Sequence, residues 1–280
     1  MKICKTIDDM RAASRAARHV GKRFGFAPTM GALHEGHLSL VRAAKAKCDV
    51  VAVSIFVNPL QFGPNEDLAK YPRTFEHDVE LLEKEGVDIL FAPSPEEMYP
   101  AGAVTYVNVE GLSDKLCGKS RPGHFRGVTT VVAKLFHIVQ PSFAFFGQKD
   151  AAQTAIIRRM VRDLNLPVEI VVCPIVREPD GLAMSSRNAY LSPLERKSAL
   201  VLHASLKQIS AEFDQGKREA AALIAAGKKA FAQEPAVRLD YLEIVHPDTL
   251  EPMHQLVGPS LVAVAAFVGN TRLIDNIMLR

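Results

Sequence analysis

Apolar runs alternate with segments of helical periodicity along the first 176 residues of the chain. The run at 49–57 is almost continuously apolar, which is typical of a strand buried on both faces of a parallel sheet. Between such runs, apolar residues recur at helical spacing, as Phe75, Val79 and Leu82 do. The pattern predicts strands at 24–27, 49–57, 87–92, 105–109, 143–146 and 168–176, and helices at 8–20, 38–47, 73–85, 128–139 and through 157–164. Strands that alternate with helices indicate βαβ units and a doubly wound parallel sheet.

The pattern changes after residue 176. Ser192 and Glu195 form a capping box, with Pro193 at the first helical position, which predicts a helix start. The predicted C-terminal elements are helices at 193–213 and 218–232 and strands at 239–245, 261–267 and 272–279. Helices followed by strands, without the βαβ rhythm, indicate a separate α+β unit. The sequence therefore predicts an α/β domain at 1–176 and a smaller C-terminal α+β lid domain at 177–280.

Composition narrows the classes of function. The chain has 280 residues, 48% of them hydrophobic and 23% charged, which is ordinary for a globular protein. A net charge of only +3 argues against a broad basic face that binds nucleic acid. The longest apolar run falls short of the roughly 18 residues of a membrane span. The cysteines, Cys4, Cys48, Cys117 and Cys173, are scattered and fit reduced thiols, so a cytoplasmic protein is expected.

The segment 28–37, Pro-Thr-Met-Gly-Ala-Leu-His-Glu-Gly-His, lies between a predicted strand and a predicted helix. A helix start carries unpaired N–H groups and the positive end of the backbone dipole, which attract anions. His34 and His37 are three residues apart and so lie on one side of the first turn. Gly31 and Gly36 permit close approach of a ligand. The segment favours a triphosphate site, but a pair of surface or capping histidines is the alternative, and zinc is less favoured because no third ligand is near.

Three loops are expected to meet at one edge of the predicted sheet. They are 28–37, 58–65 and 147–150, each following a strand. Right-handed crossovers bring the carboxyl ends of parallel strands to the same edge, and ligands of open α/β sheets collect there. Lys149 in the third loop would contact phosphates, with Asp150 orienting it or contacting a ribose; the alternative for both is a solvated turn.

Other polar residues extend this set. Gln61 and Gln153 are candidates for binding a hydroxyl or carboxylate, although solvent-facing glutamines are ordinary. Residues 184–187, Met-Ser-Ser-Arg, offer two hydroxyls and, in Arg187, a guanidinium suited to phosphate. Arg121, His124 and Arg126 add local positive charge, with surface exposure as the alternative interpretation. Asp78 is a candidate magnesium ligand, but on a helix of mixed charge a structural role is favoured.

Six motifs resemble one family, the bacterial pantothenate synthetases, also called pantoate–β-alanine ligases. In family order they are Pro-Thr-Met-Gly-Ala-Leu-His-Glu-Gly-His at 28–37, Phe-Val-Asn-Pro-Leu-Gln-Phe at 56–62, Tyr-Pro-Arg-Thr at 71–74, Arg-Pro-Gly-His-Phe-Arg-Gly-Val at 121–128, Phe-Phe-Gly-Gln-Lys-Asp at 145–150 and Asp-Gly-Leu-Ala-Met-Ser-Ser-Arg-Asn at 180–188. The first looks like the His-x-Gly-His signature of the wider nucleotidyltransferase superfamily, and Met-Ser-Ser-Arg stands where relatives carry a Lys-Met-Ser-Lys-Ser loop. The resemblance implies a Rossmann-like fold for the first domain.

The resemblance also implies site residues. Its ATP-binding set is Met30, Gly31, Ala32, Leu33, His34, Glu35, Gly36, His37, Gly147, Gln148, Lys149, Asp150, Val176, Met184, Ser185, Ser186 and Arg187. Its implied catalytic residues are His37, usually named as the proton donor, with His34, Lys149 and Arg187. Gln61 and Gln153 would hold pantoate, with Gln61 close to the incoming β-alanine. The implied cofactor is Mg²⁺ with ATP as substrate, its ligands unassigned, and the implied assembly is a homodimer that binds neither nucleic acid nor membrane.

The reaction implied by this family condenses (R)-pantoate and β-alanine through a pantoyl adenylate and releases AMP and pyrophosphate. A carboxylate is a poor electrophile for an amine at neutral pH, so adenylylation comes first, and no protein nucleophile is required. The nearest alternative is a nucleotidylyltransferase whose nucleotidylated product is stable. A nucleotide sensor or RNA-binding module on the same fold is a second alternative, and it predicts binding without pyrophosphate release.

Overall fold

A computed structural model of the chain describes residues 1–19, 21–64 and 66–280. Its first six strands are β1 (Lys2–Cys4), β2 (Phe24–Thr29), β3 (Val50–Ile55), β4 (Ile89–Phe91), β5 (Phe143–Gly147) and β6 (Glu169–Cys173). They form one sheet in the order β1-β4-β3-β2-β5-β6, in which every pairing is parallel. Residues 20 and 65, the last positions of the predicted helix 8–20 and the predicted loop 58–65, lie outside the described residues.

Helices connect the strands and cover the sheet. They are α1 (Ile7–His19), α2 (Glu35–Lys47), α3 (Phe75–Lys84), α4 (Pro95–Met98), α5 (Cys117–Ser120), α6 (His124–Val139) and α7 (Ala151–Asp163). Short 3-10 turns occupy Pro59–Gln61, Gln148–Asp150 and Ser186–Tyr190. The strand β3 is buried along nearly its whole length, as its continuous apolar run predicts for a strand covered on both faces.

The winding of the sheet reverses between β2 and β5. From β2 the chain proceeds outward through β3 to β4, whereas β5 pairs with the other side of β2 and leads to β6. A reversal of this kind opens a crevice at the carboxyl ends of the two central strands. The segment 30–37 follows β2 and the turn Gln148–Asp150 follows β5, so both enter this crevice.

The C-terminal part is built on a second, antiparallel sheet. Its strands are β7 (Val237–Val245), β8 (Ser260–Val268) and β9 (Thr271–Leu279), and its helices are α8 (Pro193–Ser198), α9 (Leu200–Asp214) and α10 (Ala220–Ala232). The strands pair in chain order, and α9 and α10 pack against them with a separate apolar core. The fold class, a parallel α/β sheet with a smaller α+β unit, is thereby confirmed. The predicted boundary between 1–176 and 177–280 stays a prediction.

Several predicted elements differ from the structure. The strand predicted at 105–109 is wrong: within the described residues, the segment pairs with no strand. The N–H of Val107 donates to the Thr130 hydroxyl and its carbonyl accepts the Thr129 hydroxyl, both on α6. Its alternation reflects packing on a helix instead of a sheet. The predicted helix 193–213 is divided at Ala199 into α8 and α9. The sequence analysis missed β1, which is only three residues long. No helix of the described residues is long and apolar enough to cross a membrane.

Candidate active site

A cavity of about 220 Å³ lies at the crevice between the ends of β2 and β5. The sequence-predicted residues that line it are Met30, His34, Gly36, His37, Gln61, Gly147, Lys149, Asp150, Gln153, Val176, Met184, Ser185, Ser186 and Arg187. These residues come from five separate stretches of the chain. The predicted convergence of the three loops, and of the 184–187 segment with them, is therefore confirmed.

The two histidines of the first motif are oriented by backbone N–H groups. His34 is the N-cap of α2, and its Nδ1 accepts a hydrogen bond from the Gly36 N–H at 3.1 Å. Nδ1 of His37 accepts one from the N–H of His34 at 3.3 Å, and the ring centroids are 4.1 Å apart. Because Nδ1 is the acceptor in each neutral ring, Nε2 carries the proton. Each imidazole therefore keeps an Nε2–H donor for a ligand.

Both imidazoles are neutral at pH 7. Burial, reinforced by the charge of Lys149, lowers the pKa of His34 to about 4. Burial, with His34 and Lys149 adding to it, lowers the pKa of His37 to about 3. The pair therefore offers neutral hydrogen-bond donors in the ligand-free state. A bound triphosphate would raise both pKa values, since a nearby negative charge favours the protonated form.

The buried histidines give stability a defined pH dependence. In the unfolded chain a histidine pKa is about 6.5, so on acidification the unfolded state binds the proton before folded His37 does. As the pH is lowered from 6.5, the free energy of unfolding should therefore decrease, by up to about 1.4 kcal/mol per pH unit for His37 alone. Urea unfolding at pH 6.5, 5.5 and 4.5 measures this slope, and His37→Asn should make it shallower by that amount. Equal slopes for both proteins would contradict the neutral state of folded His37.

The turn between β2 and α2 is supported by a buried carboxylate. Gly31 has φ 80° and Ala32 has φ 50°, both in the left-handed region. Asp78, only 1% exposed, accepts the N–H groups of Ala32 and Leu33, each at 2.8 Å, and the hydroxyl of Thr74 at 3.1 Å. Its oxygens are committed to the protein, which agrees with the structural role favoured for Asp78 over magnesium binding. Gly31, Ala32 and Leu33, which were predicted to bind ATP, do not line the cavity and form the turn that leads into α2.

The turn that carries Gln61 is fixed by an asparagine that the sequence analysis missed. Asn58, 1% exposed, donates through Nδ2 to Gln61 Oε1 and to the carbonyl of Gly127, both at 3.1 Å. Its Oδ1 accepts the Tyr99 hydroxyl at 2.8 Å. Gln61 Nε2 approaches Met30 Sδ at 2.9 Å, so the amide points along the cavity wall. The sequence signals for Asn58 were its place directly after the predicted strand 49–57 and its presence in the motif at 56–62.

The 184–187 segment closes on the first motif. Ser186 donates its hydroxyl to the Ala32 carbonyl at 3.1 Å. Arg187 forms two hydrogen bonds to the Asp67 carboxylate, each 2.9 Å long, and lies over the ring of Tyr71. Burial opposes ionisation of Asp67, but the bonds to Arg187 outweigh it and lower the pKa of the carboxyl. Arg187 therefore lines the cavity while its guanidinium is paired with the Asp67 carboxylate.

A second arginine lies beside the Gln61 turn. Arg121 donates to Glu66 at 2.7 Å and to the Gln61 carbonyl at 3.2 Å, and His124 Nδ1 lies 2.8 Å from that carbonyl. Burial, followed by the charge of Arg121, lowers the pKa of His124 to about 4. Both side chains line the cavity, but His124 is neutral at pH 7, so of the two only Arg121 supplies the positive charge that the sequence analysis expected. Arg126 is exposed and stacks on Tyr106, away from the cavity.

A larger cavity of about 1080 Å³ lies between the two sheets and adjoins the smaller one. The residues that line both are Arg121, His124, Lys149, Asp150, Gln153, Ser185 and Arg187. Ligand sites commonly measure about 300–1,000 Å³, so together the cavities have room for a nucleotide and a small acid. Two further residues predicted to bind ATP line neither cavity. Glu35 directs its carboxylate to Arg42, and the side chain of Gln148 donates to Asn276 at 2.9 Å.

The described residues include no group of three or more histidine, cysteine, aspartate or glutamate side chains placed to hold a metal ion. Magnesium in nucleotide sites is commonly held by one or two carboxylates together with substrate phosphates. Asp150, which lines both cavities, is one such carboxylate. The donor set therefore fits a magnesium ion held mainly by a nucleotide and does not fit a cage made by the protein.

Comparison with known proteins identifies the family of this chain. A family model described as pantoate-beta-alanine ligase matches residues 2–278. The chain belongs to the pantoate-beta-alanine ligase family. Over 280 aligned residues it is 59% identical to a pantothenate synthetase of Koribacter versatilis, covering 100% of this chain and 96% of the relative. It is 61% identical to the pantothenate synthetase of Acidobacterium capsulatum, covering 100% and 97%.

Solved structures of pantoate-beta-alanine ligases have the same fold over the whole chain. The pantothenate synthetase of Thermus thermophilus is 50% identical, with a TM-score of 0.94 and 99% of each chain covered. The pantoate-beta-alanine ligase of Francisella tularensis, complexed with beta-gamma ATP and beta-alanine, is 35% identical, with a TM-score of 0.82 and coverage of 99% and 97%. The family predicted from the six motifs is confirmed, and with it the enzyme class, a ligase that forms a C–N bond.

Proposed function

We propose that the protein condenses pantoate with β-alanine in the two adjoining cavities, that the reaction consumes ATP, and that it proceeds through a pantoyl adenylate. The observation that carries the proposal is the meeting in one cavity of three kinds of group. Two imidazoles and a lysine suit phosphates, while Gln61 and Gln153 suit a small hydroxy acid. Membership of the pantoate-beta-alanine ligase family supports the same reaction.

In the first step a pantoate carboxylate oxygen attacks the α-phosphorus of ATP, an O–P bond forms, and the bond to pyrophosphate breaks. Negative charge grows on the phosphate oxygens, where His34 and His37 would donate from Nε2–H, and Lys149 would add its ammonium. The dipole of α2 contributes only about 0.3–1 kcal/mol to binding an anion, or ~2 when partly buried. Donors placed where charge develops are worth more, commonly about 3–4 kcal/mol each.

Arg187 would bind a phosphate of ATP, but Asp67 accepts two of its hydrogen bonds in the ligand-free structure. The phosphate must therefore share the guanidinium or displace the carboxylate. Because Arg187 carries five N–H donors, sharing is possible on the edge that faces the cavity. The remaining residues of 184–187 and Val176 would contact the nucleotide from the side of the C-terminal unit.

Placement of the substrates contributes to the rate on the same scale as these donors together. Holding two reactants in register can be worth roughly 7–11 kcal/mol. Gln61, whose amide is held by Asn58, would fix pantoate together with Gln153. In the second step the β-alanine amine, as the free base, attacks the acyl carbon beside Gln61 and a C–N bond forms. AMP leaves with the bonding electrons of the acyl–oxygen bond, and the nitrogen releases one proton to water.

Magnesium would enter with ATP. The ion would be held mainly by phosphate oxygens, with the Asp150 carboxylate as a protein ligand, and it would neutralise the charge of the leaving pyrophosphate.

We further propose that the protein is a homodimer in the cytoplasm and that the predicted division at 176/177 separates the nucleotide-binding domain from the lid. The four free, buried cysteines support a reducing compartment.

One assay tests the function and separates the alternatives. The protein is incubated with ATP, magnesium and pantoate, β-alanine is added later, and pyrophosphate and AMP are followed. The proposal expects a burst of pyrophosphate close to one equivalent before β-alanine, then continuous AMP and pantothenate. A stable nucleotidylated product that β-alanine leaves intact would support the nucleotidylyltransferase instead. Binding of ATP without pyrophosphate release would support the sensor.

A further inference from the structure

The turn that presents Lys149 to the cavity is held by a residue of the C-terminal sheet. Asn276 lies on β9 and is only 3% exposed. Its Nδ2 donates to the carbonyls of Gln148 and Lys149, each at 2.9 Å, and its Oδ1 accepts from Gln148 Nε2 at 2.9 Å. Both N–H groups and the oxygen of the amide are thus engaged by two consecutive residues.

Asn276 is itself fixed from behind. The carboxylate of Asp275, 3% exposed, accepts the N–H of Asn276 at 2.7 Å. The same carboxylate accepts two hydrogen bonds from Arg177, at 2.6 and 2.9 Å. Arg177 follows the last strand of the parallel sheet and is the first residue of the predicted C-terminal domain. The bonds therefore run without a break from the junction between the two units to the lysine turn.

We propose that Asn276 is the positioning residue for Lys149 in the adenylylation step, an inference that rests on the proposed function. The backbone of Lys149 sets the region that its ammonium can reach, so a displaced turn moves that region relative to the phosphates. Asn276 fixes the carbonyl of that residue and of the one before it. Docking of the two units does not require this amide, because Val245, Leu250, Leu261 and Ala263 already pack into the apolar core of the parallel sheet.

The test is a double-mutant cycle on the full-length enzyme. Asn276→Ala removes all three hydrogen bonds, and Asn276→Asp keeps the shape while placing an acceptor against two carbonyls. Each is made alone and with Lys149→Ala. With Lys149 present, both should lower the rate of pantoate-dependent pyrophosphate release by about 10- to 100-fold, the scale of a displacement near 1 Å. With Lys149→Ala, a further change at Asn276 should alter the rate by no more than about twofold.

Two readouts separate positioning from general stability. The melting temperature should fall by the same amount in both backgrounds, since the lost bonds are the same. The dissociation constant for ATP, measured by calorimetry without turnover, should rise only where Lys149 is present. Leu223→Ala, on α10 in the apolar core of the C-terminal unit and 0% exposed, is the matched control that lowers stability without touching Asp275, Asn276 or the turn, and its rate at low temperature should equal that of the wild type.

Three results would overturn the inference. Equal losses of rate and ATP affinity in both backgrounds would make Asn276 a structural residue. Wild-type rate and affinity in Asn276→Ala would remove its role altogether, as would Lys149→Ala with undiminished ATP affinity and rate. A wild-type enzyme that binds ATP without releasing pyrophosphate would defeat the proposed function alone, and the ATP affinities would still decide whether Asn276 positions Lys149.

Discussion

Replacing His37 by alanine should lower the rate of adenylylation by about 10²–10³-fold, the cost of removing one preorganised donor from a site of developing charge. The structure gives the reason: His37 Nδ1 accepts from the backbone N–H of His34, which leaves Nε2–H as a donor on the cavity side. The affinity for ATP should fall far less, because the other donors to the triphosphate remain. Single-turnover pyrophosphate release and calorimetric ATP binding measure the two effects separately.

Two further variants sharpen this prediction. His37→Gln keeps an amide N–H donor of similar reach and should recover part of the lost rate. His77→Ala removes an exposed imidazole of α3 and should leave the rate unchanged. A His37→Ala enzyme with wild-type turnover would refute the role of this side chain, and a loss confined to ATP affinity would make it a ground-state binding residue.

The sequence was sufficient for the parts of the fold that local pattern determines. The almost continuous apolar run at 49–57 predicted a strand buried on both faces, and β3 lies within it. The capping box at Ser192 begins a helix where predicted. The convergence of His37, Gln61 and Lys149 followed from one rule, that parallel strands end at the same edge. Because the rule concerns topology, it located the site without any knowledge of side-chain contacts.

The contacts that hold the site in place were beyond the sequence. Asn58, Asp78 and Asn276 each form hydrogen bonds to residues that are distant in the sequence. The largest separations are 69 residues for Asn58, 46 for Asp78 and 128 for Asn276. No periodicity records such pairings, since they depend on the register between elements. The strand prediction at 105–109 was wrong for the same reason. Alternation along a segment does not reveal whether the segment packs against a strand or against a helix such as α6.

Gly127 is a position where this dependence on close approach can be tested. It lies in the first turns of α6, which pack against the turn Pro59–Gln61. A Cβ on Gly127 would overlap the carbonyl oxygen of Leu60 and lie 2.7 Å from the backbone N of Gln61. Backbone atoms cannot rotate away as a flexible side chain can, so Gly127→Ala must displace the turn that carries Gln61 and break the hydrogen bond from Asn58 to the Gly127 carbonyl.

We expect Gly127→Ala to lower kcat/KM for pantoate by about 100-fold, because a shift near 1 Å at a positioning residue has that effect. The KM for ATP should change much less, since the nucleotide contacts lie on other loops. Overpacking should also reduce the free energy of unfolding by about 1–3 kcal/mol. Gly258→Ala, where an added Cβ meets nothing within 4 Å, is the matched control. Equal losses for pantoate and ATP would show that the substitution disturbs the whole cavity, and unchanged pantoate kinetics would show that the Gln61 turn tolerates displacement and does not position the acid.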